Sequence, residues 1–275
     1  MAVVRTREGP MATVNVWTAL TTLGSQGTLN AITVPAGMNS IKEIWGVFCE
    51  PAPADTSGGV ICARLRGTGL KYGEQKFVFG GMGVEVTGNE SYTASMVPTK
   101  LKVDVATIPG GEIWIDGAQF GTDHGTPELA VSLWFSESGA AERYYYTRMI
   151  ATATLDTDAM AITDVSDTVN AIQPPGNCKH IYSVTTAMHG IVLVTASGGT
   201  GYIRMRGGIA EGEQVFVAGG AANLSTTTGV DGGYAPAVQR SCYLTLTGAP
   251  LLAYAAQCGV DWGTPYGCVC VEVGP

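Results

Sequence analysis

The chain repeats itself, and no other feature constrains its fold as much. Asn30-Ala-Ile32 returns as Asn170-Ala-Ile172, and Arg64-Leu-Arg-Gly67 returns at the same offset as Arg204-Met-Arg-Gly207. Gly73-Glu-Gln-Lys-Phe-Val-Phe-Gly-Gly81 returns, at a slightly shorter offset, as Gly212-Glu-Gln-Val-Phe-Val-Ala-Gly-Gly220. Gly121-Thr-Asp-His-Gly-Thr-Pro127 returns, the offset shortened once more, as Gly259-Val-Asp-Trp-Gly-Thr-Pro265. Four colinear matches with so small a drift identify a tandem duplication, the drift marking two short deletions in loops. The period is far beyond the roughly 20–50 residues of a solenoid or propeller repeat, and each copy is the size of a whole domain.

Each copy reads as strands. Leu129, Val131, Leu133 and Phe135 alternate with Ala130, Ser132 and Trp134, which predicts a strand with one buried face. Its repeat puts Val269, Val271 and Val273 inward, and Cys268, Cys270 and Glu272 on the other face. Turn clusters such as Asp55-Thr-Ser-Gly-Gly59 and Ser197-Gly-Gly-Thr-Gly201 separate the runs. With 38 Gly and 13 Pro, no stretch shows a 3.6-residue period with caps. About eight short strands per copy predict an all-β sandwich or barrel, the jelly roll fitting length and strand count best, with very little helix. The expected layout is an N-terminal arm and first strand over 1–29, a first barrel over 30–137, a linker or strand over 138–156 and a second barrel over 157–275.

Composition narrows the function. Only 14% of residues are charged, against roughly 25% in average globular proteins, and a subunit that hides its surface against neighbours can do with less charge than a free monomer. The net charge of −8 and the lack of a basic run speak against nucleic-acid binding by the folded body. The densest basic spots are the pairs Arg64/Arg66 and Arg204/Arg206; Arg5 and Arg7 leave the N-terminal arm as the one place for membrane contact. Seven cysteines with no C-x-x-C, five of them in the second copy, read as small buried hydrophobes rather than a disulfide framework. The N-terminus carries no apolar stretch of signal-peptide length, and a soluble chain made in the cytoplasm is expected.

No catalytic constellation emerges. A duplicated β-barrel metalloenzyme needs an H-x-H pair and a carboxylate, whereas the three histidines, His124, His180 and His189, form no such pair and are not repeated between copies. Nucleophile-elbow, Walker and EF-hand patterns are absent. Gly80-Gly81 and Gly219-Gly220 follow strands but open no helix, so tight turns or bulges are expected there. Glu74-Gln75 and Glu213-Gln214 read as polar hairpin turns, and Asp123 and Asp261 as turn-forming side chains before the last strand of each copy. The sequons at Asn89 and Asn223 have no export signal to give them meaning. No enzymatic activity, cofactor or metal is expected. Two features stand out as contacts. The Arg64/Arg66 and Arg204/Arg206 pairs are candidates to bridge barrels or subunits through carboxylates, with solvated edge arginines as the alternative. In the run Tyr144, Tyr145 and Tyr146 alternate faces, either between the two domains or as an interface anchor.

A duplicated jelly roll of low charge, built from the paired segments above, resembles in architecture the double jelly-roll major capsid proteins of tailless icosahedral viruses. That resemblance implies side-by-side barrels and homotrimeric, pseudo-hexagonal capsomers in a closed shell, located in the virion. It also allows minor capsid proteins as further partners. The chain has little room for the flanking loops and helices common in that family. Two other readings stay open. One is a carbohydrate-binding or adhesive β-sandwich using Trp114, Trp134 or Trp262; the other is a non-viral shell or filament subunit.

Overall fold

The computed structural model describes residues 2–22, 31–49, 56–84, 98–121, 126–152, 155–160, 171–189, 199–221, 232–259 and 265–275. Within them lie nineteen strands and no helix. The first nine are β1 (Ala2–Pro10), β2 (Thr18–Ala19), β3 (Ile32–Thr33), β4 (Ser40–Cys49), β5 (Thr56–Arg66), β6 (Gln75–Val84), β7 (Thr99–Ala106), β8 (Glu112–Gly121) and β9 (Glu128–Ser136). The rest are β10 (Tyr144–Ala151), β11 (Ala159–Met160), β12 (Ala171–Ile172), β13 (His180–His189), β14 (Gly199–Arg206), β15 (Gln214–Ala221), β16 (Gly232–Pro236), β17 (Val238–Thr245), β18 (Leu251–Cys258) and β19 (Tyr266–Gly274).

These strands make two jelly rolls of the same topology. In the first, a sheet ordered β1-β9-β4-β7 faces one ordered β6-β5-β8-β2, with β3 also on β8. In the second, β10-β19-β13-β17 faces β15-β14-β18-β11, with β12 on β18. All the ladders are antiparallel, and the duplication extends to their irregularities. A bulge between Ile41 and Glu43 of β4 recurs between Ile181 and Ser183 of β13. Another, between Ile61 and Cys62 of β5, recurs between Gly201 and Tyr202 of β14. A bulge bends a strand and fixes its register, so the two copies share curvature as well as strand order. The extra residues of this second pair are Phe79 of β6 and Ala218 of β15, so the paired glycines adjoin bulges within strands, the bulge of the two readings expected from sequence, rather than forming turns.

The first sandwich takes in residues 2–136 and the second 144–274. The spans expected as arm with first strand and as linker or strand each contribute an edge strand to a sandwich: β1 runs along β9 from Ala2, and β10 runs along β19 from Tyr144. Neither strand has clean alternation of apolar and polar residues, which is why sequence pattern alone leaves them out of the barrels.

Each sandwich has its own apolar filling. Phe48, Phe77, Phe79, Phe120 and Phe135 pack with Ile41, Ile44 and Leu65 in the first. In the second, Ile181, Val184 and Met188 meet Ile203, Met205, Val269, Val271 and Val273. Full burial of a side chain of this size contributes on the order of 1.5–3 kcal/mol. At Gly46 packing excludes any side chain, because a Cβ would stand 2.4 Å from Phe79 Cδ1. The first core also enrols Tyr145, Ala187, Ala237, Cys268 and Cys270, all from the second sandwich. The two cores are therefore joined.

Candidate functional site

The features that set this molecule apart are the seam between its sandwiches and the sheet faces that remain uncovered. In a strand, alternate residues point to opposite faces. On β19, Val269, Val271 and Val273 fill the second core while Cys268, Cys270 and Glu272 point the other way, toward β5 and β6. Covered on both faces, β19 and β13 are buried along nearly their whole length.

The seam is specific as well as apolar. Cys62 Sγ and Cys268 Sγ lie 4.0 Å apart, and the Cys270 thiol donates to the Lys76 carbonyl at 3.3 Å. Burial pushes the Cys270 thiol well above the usual range. Gly81 lets β13 come close, since a Cβ there would stand 2.6 Å from His189 Cβ. Tyr145 fits between the edges of the first sandwich, with its ring 4.9 Å from that of Phe77. Its hydroxyl accepts the Asp104 N–H at 2.8 Å, and its own N–H donates to Gln75 Oε1 at 2.9 Å. Gln239 meets the β7 edge as a strand would, accepting from Lys102 N–H at 2.8 Å and donating to Lys102 O at 2.7 Å. Finally, β16 departs from its own sandwich and pairs with β6. Both open edges on that side of the first sandwich are thereby satisfied, as exposed edges otherwise invite foreign strands.

One carboxylate is held in the seam. Glu272 accepts from Ser183 Oγ at 2.6 Å and from the Tyr145 hydroxyl, and lies 3.4 Å from Arg143 Nε. Burial nevertheless prevails and holds its pKa above the ordinary range, with nearby Asp104 adding to the rise. The folded state therefore binds this proton more tightly than the unfolded chain. The resulting stabilisation is complete below the unfolded pKa and is lost as pH rises through the folded one. Glu272→Gln should accordingly gain stability relative to wild type at neutral pH and lose that gain on acidification, seen as a pH-dependent difference in melting temperature. Glu43, Glu142, Glu211 and Glu213, all held low by hydrogen bonds, slope the other way but cancel in the comparison. A difference that stays flat between about pH 4 and 8 would overturn the account.

The arginine pairs find partners inside their own sandwiches. Arg64 donates to Asp116 Oδ2 from Nε at 2.9 Å and Nη2 at 2.6 Å, and Arg66 Nε donates to the same oxygen at 2.7 Å. Arg64 also stacks on Trp17 and Arg66 on Trp114. In the second copy Tyr254 stands where Asp116 would be, since Arg204 faces Tyr254 as Arg64 faces Asp116. Arg204 and Arg206 turn instead to Asp158, at 2.5 and 3.0 Å, and to Glu213. Of the tyrosines, Tyr145 enters the seam, while Tyr144 and Tyr146 pack on the second core. Tyr144 also donates to Glu142 at 2.7 Å and lies 5.8 Å from the Tyr72 ring. Glu74 pairs with Arg64 and Lys76, and Gln75 caps its turn by donating to Tyr72 O and Gly73 O. His180 stacks on Tyr243 at 4.3 Å and His189 lies buried over Gly81. Among the described residues no three His, Cys, Asp or Glu side chains are grouped to hold a metal ion. Asp123, His124, Asp261, Trp262, Asn89 and Asn223 fall outside the described residues.

An apolar open depression of about 290 Å³ lies on the outer face of the β1-β9-β4-β7 sheet, between Val4, Trp45, Val47, Pro98 and Trp134. The two indoles are 6.3 Å apart at a 34° tilt. Lys100 lies over Trp45 and pairs with Glu43 at 2.6 Å, and Glu43 in turn accepts from Trp45 Nε1. Sequence reasoning singled out Trp134 but not Trp45, Val4 or Val47; it set Gln75 in a polar turn without its seam contact and passed over Gln239.

No protein-family model matches the chain, and no curated protein does. Solved structures do align with it. One is PNGase F, a glycosylasparaginase from Flavobacterium meningosepticum, at 13% identity and TM-score 0.41, covering 98% of this chain and 96% of that one. Another is the major capsid protein P2 from bacteriophage PM2, at 7% identity and TM-score 0.36, covering 100% of this chain and 97% of that one. Likenesses of that size transfer neither role to this chain.

Proposed function

We propose that the chain is a structural, self-assembling subunit without enzymatic activity: a viral major capsid protein whose homotrimers set six jelly rolls in a pseudo-hexagon within an icosahedral shell. The observation that carries this reading is the stacking of two jelly rolls of one topology through a closely fitted seam, with an apolar sheet face left open beyond it. A duplicated unit lets three chains present six similar edges, so near-hexagonal packing needs only one kind of subunit. The low charge fits a surface that is covered in its working state. Location in the virion follows from the reading.

A carbohydrate-binding module has one observation in its favour, the exposed Trp134 beside Trp45. Sugar recognition also needs free polar groups around the stacking platform. Here the nearest carboxylate, Glu43, is already engaged by Lys100 and Trp45, and an apolar protein partner suits the depression better. Light scattering on the purified, reduced protein followed by electron microscopy tests the proposal. Trimers or closed shells are expected; a monomer at every concentration and salt would overturn it and return attention to glycans.

A further inference from the structure

The duplication lets seam residues be matched with counterparts on open faces. In the β9–β4 ladder Ser132 faces Trp45, Ala130 faces Val47 and Trp134 faces Glu43. In the β19–β13 ladder Cys270 faces Thr185, Cys268 faces Ala187 and Glu272 faces Ser183. Val4 lies opposite Trp134 as Tyr145 lies opposite Glu272. The depression on the first sandwich is thus, position for position, the face that the second sandwich uses in the seam. The other half of the seam has its counterpart too. Cys62 faces Val78 and Arg64 faces Lys76 on β5 and β6, while Tyr202 faces Val217 and Arg204 faces Val215 on β14 and β15.

Exposure separates the two members of each match. Val78 is 0% exposed and Val217 52%; Tyr145 is 4% exposed and Val4 38%; Glu272 is 9% exposed and Trp134 37%. At four of the matches the chemistry runs in the unexpected direction. Where the seam has Thr185, Glu272, Lys76 and Cys62, the open faces carry Trp45, Trp134, Val215 and Tyr202. At Trp45, Trp134 and Val215 the open position is more apolar than its covered counterpart, and Val217 keeps the valine of the covered Val78 while standing open, which is what a covered surface needs and a solvated one does not.

We propose that the outer face of β1, β9, β4 and β7 in one chain binds the outer face of β14 and β15 in a second copy, repeating between chains the contact made within each chain. This inference rests on the self-assembly reading above and deepens it by assigning the subunit interface. The two faces are complements of each other and not of themselves, so the contact is head-to-tail, the kind that generates rings or open chains rather than a two-fold dimer. Trp134 and Trp45 on one side and Val215, Val217 and Tyr202 on the other are its centre. Arg204 and Arg206 lie beside the second of these faces, held by Asp158 and Glu213.

Single changes at exposed positions test this in the full chain: Trp134→Glu breaks one face and Val217→Glu the other. Each variant should keep the wild-type circular dichroism and melting behaviour and lose self-association by at least about 30-fold, the loss expected at an interface hot spot. Mixed in equal amounts, the two should form a dimer and go no further, because each supplies one intact face. Assembly of either variant alone at wild-type concentrations, or a mixture that stays monomeric while wild type assembles, would overturn the interface and leave the self-assembly reading standing. A wild type that never assembles, or whose indole fluorescence responds to a glycan while it stays monomeric, would overturn both.

Discussion

Asp116→Ala is expected to cost about 3 kcal/mol of stability, the low end for breaking a buried ion pair, because it removes the buried carboxylate shared by the largely buried Arg64 and the half-open Arg66. The side chain of Asp116 is 2% exposed, and its oxygens take hydrogen bonds from both Arg64 and Arg66. Those bonds raise the Arg66 guanidinium above its ordinary value. Without Asp116, Arg64, stacked on Trp17, is left with the more distant Glu74 at 3.5 Å. Asp116→Asn keeps the shape but not the charge, and should fall between wild type and the alanine variant. The duplication supplies the control. Glu213→Ala removes a partner from the equivalent arginines at a solvated site, where ion pairs are screened, and should move the urea midpoint no more than an ordinary surface change. Equal losses for Asp116→Ala and Glu213→Ala would show that burial is not what gives the first site its weight.

What could be read from sequence followed from how far each feature depends on local pattern. The duplication, the all-β class and the inward set Val269, Val271 and Val273 rest on spacing and alternation, and the structure has them so. The boundaries were harder, since β1 and β10 are edge strands whose outer faces meet different surroundings, and neither shows a two-residue period. The partners of the arginines were not legible. Asp116 is remote from Arg64 and Arg66 along the chain, and only the β5–β8 ladder brings them together. The seam was partly legible: Cys268, Cys270 and Glu272 could be set on one face, but not what covered them. The informative signal lay in the mismatches between copies. Lys76 against Val215, and Glu272 against Trp134, mark positions whose surroundings differ although their place in the fold is the same.

Tyr145→Ala should destabilise both sandwiches together, by about 3–5 kcal/mol, although the residue belongs to the first strand of the second. The ring is 4% exposed, packs on Phe77 and is part of the first sandwich's core. Truncation leaves a void at the open edge between β6 and β7 and takes from the Asp104 N–H its acceptor on Tyr145. Tyr145→Phe keeps the ring and removes only the hydroxyl, with its bonds to the Asp104 N–H and Glu272, and about 1–2 kcal/mol should be lost. Native-state hydrogen exchange separates a joint core from two independent ones. In both variants the Asp104 amide on β7 should lose protection, and in the alanine variant neighbouring β7 amides should follow. Unchanged protection along β7, with losses confined to β10 and β19, would mean that the sandwiches are stabilised separately and only lie against each other. Joint loss would make the seam a condition of folding for the first jelly roll. A seam of that kind is a sound template for a second contact, because each chain already shows that the pairing of these two faces supports a folded core.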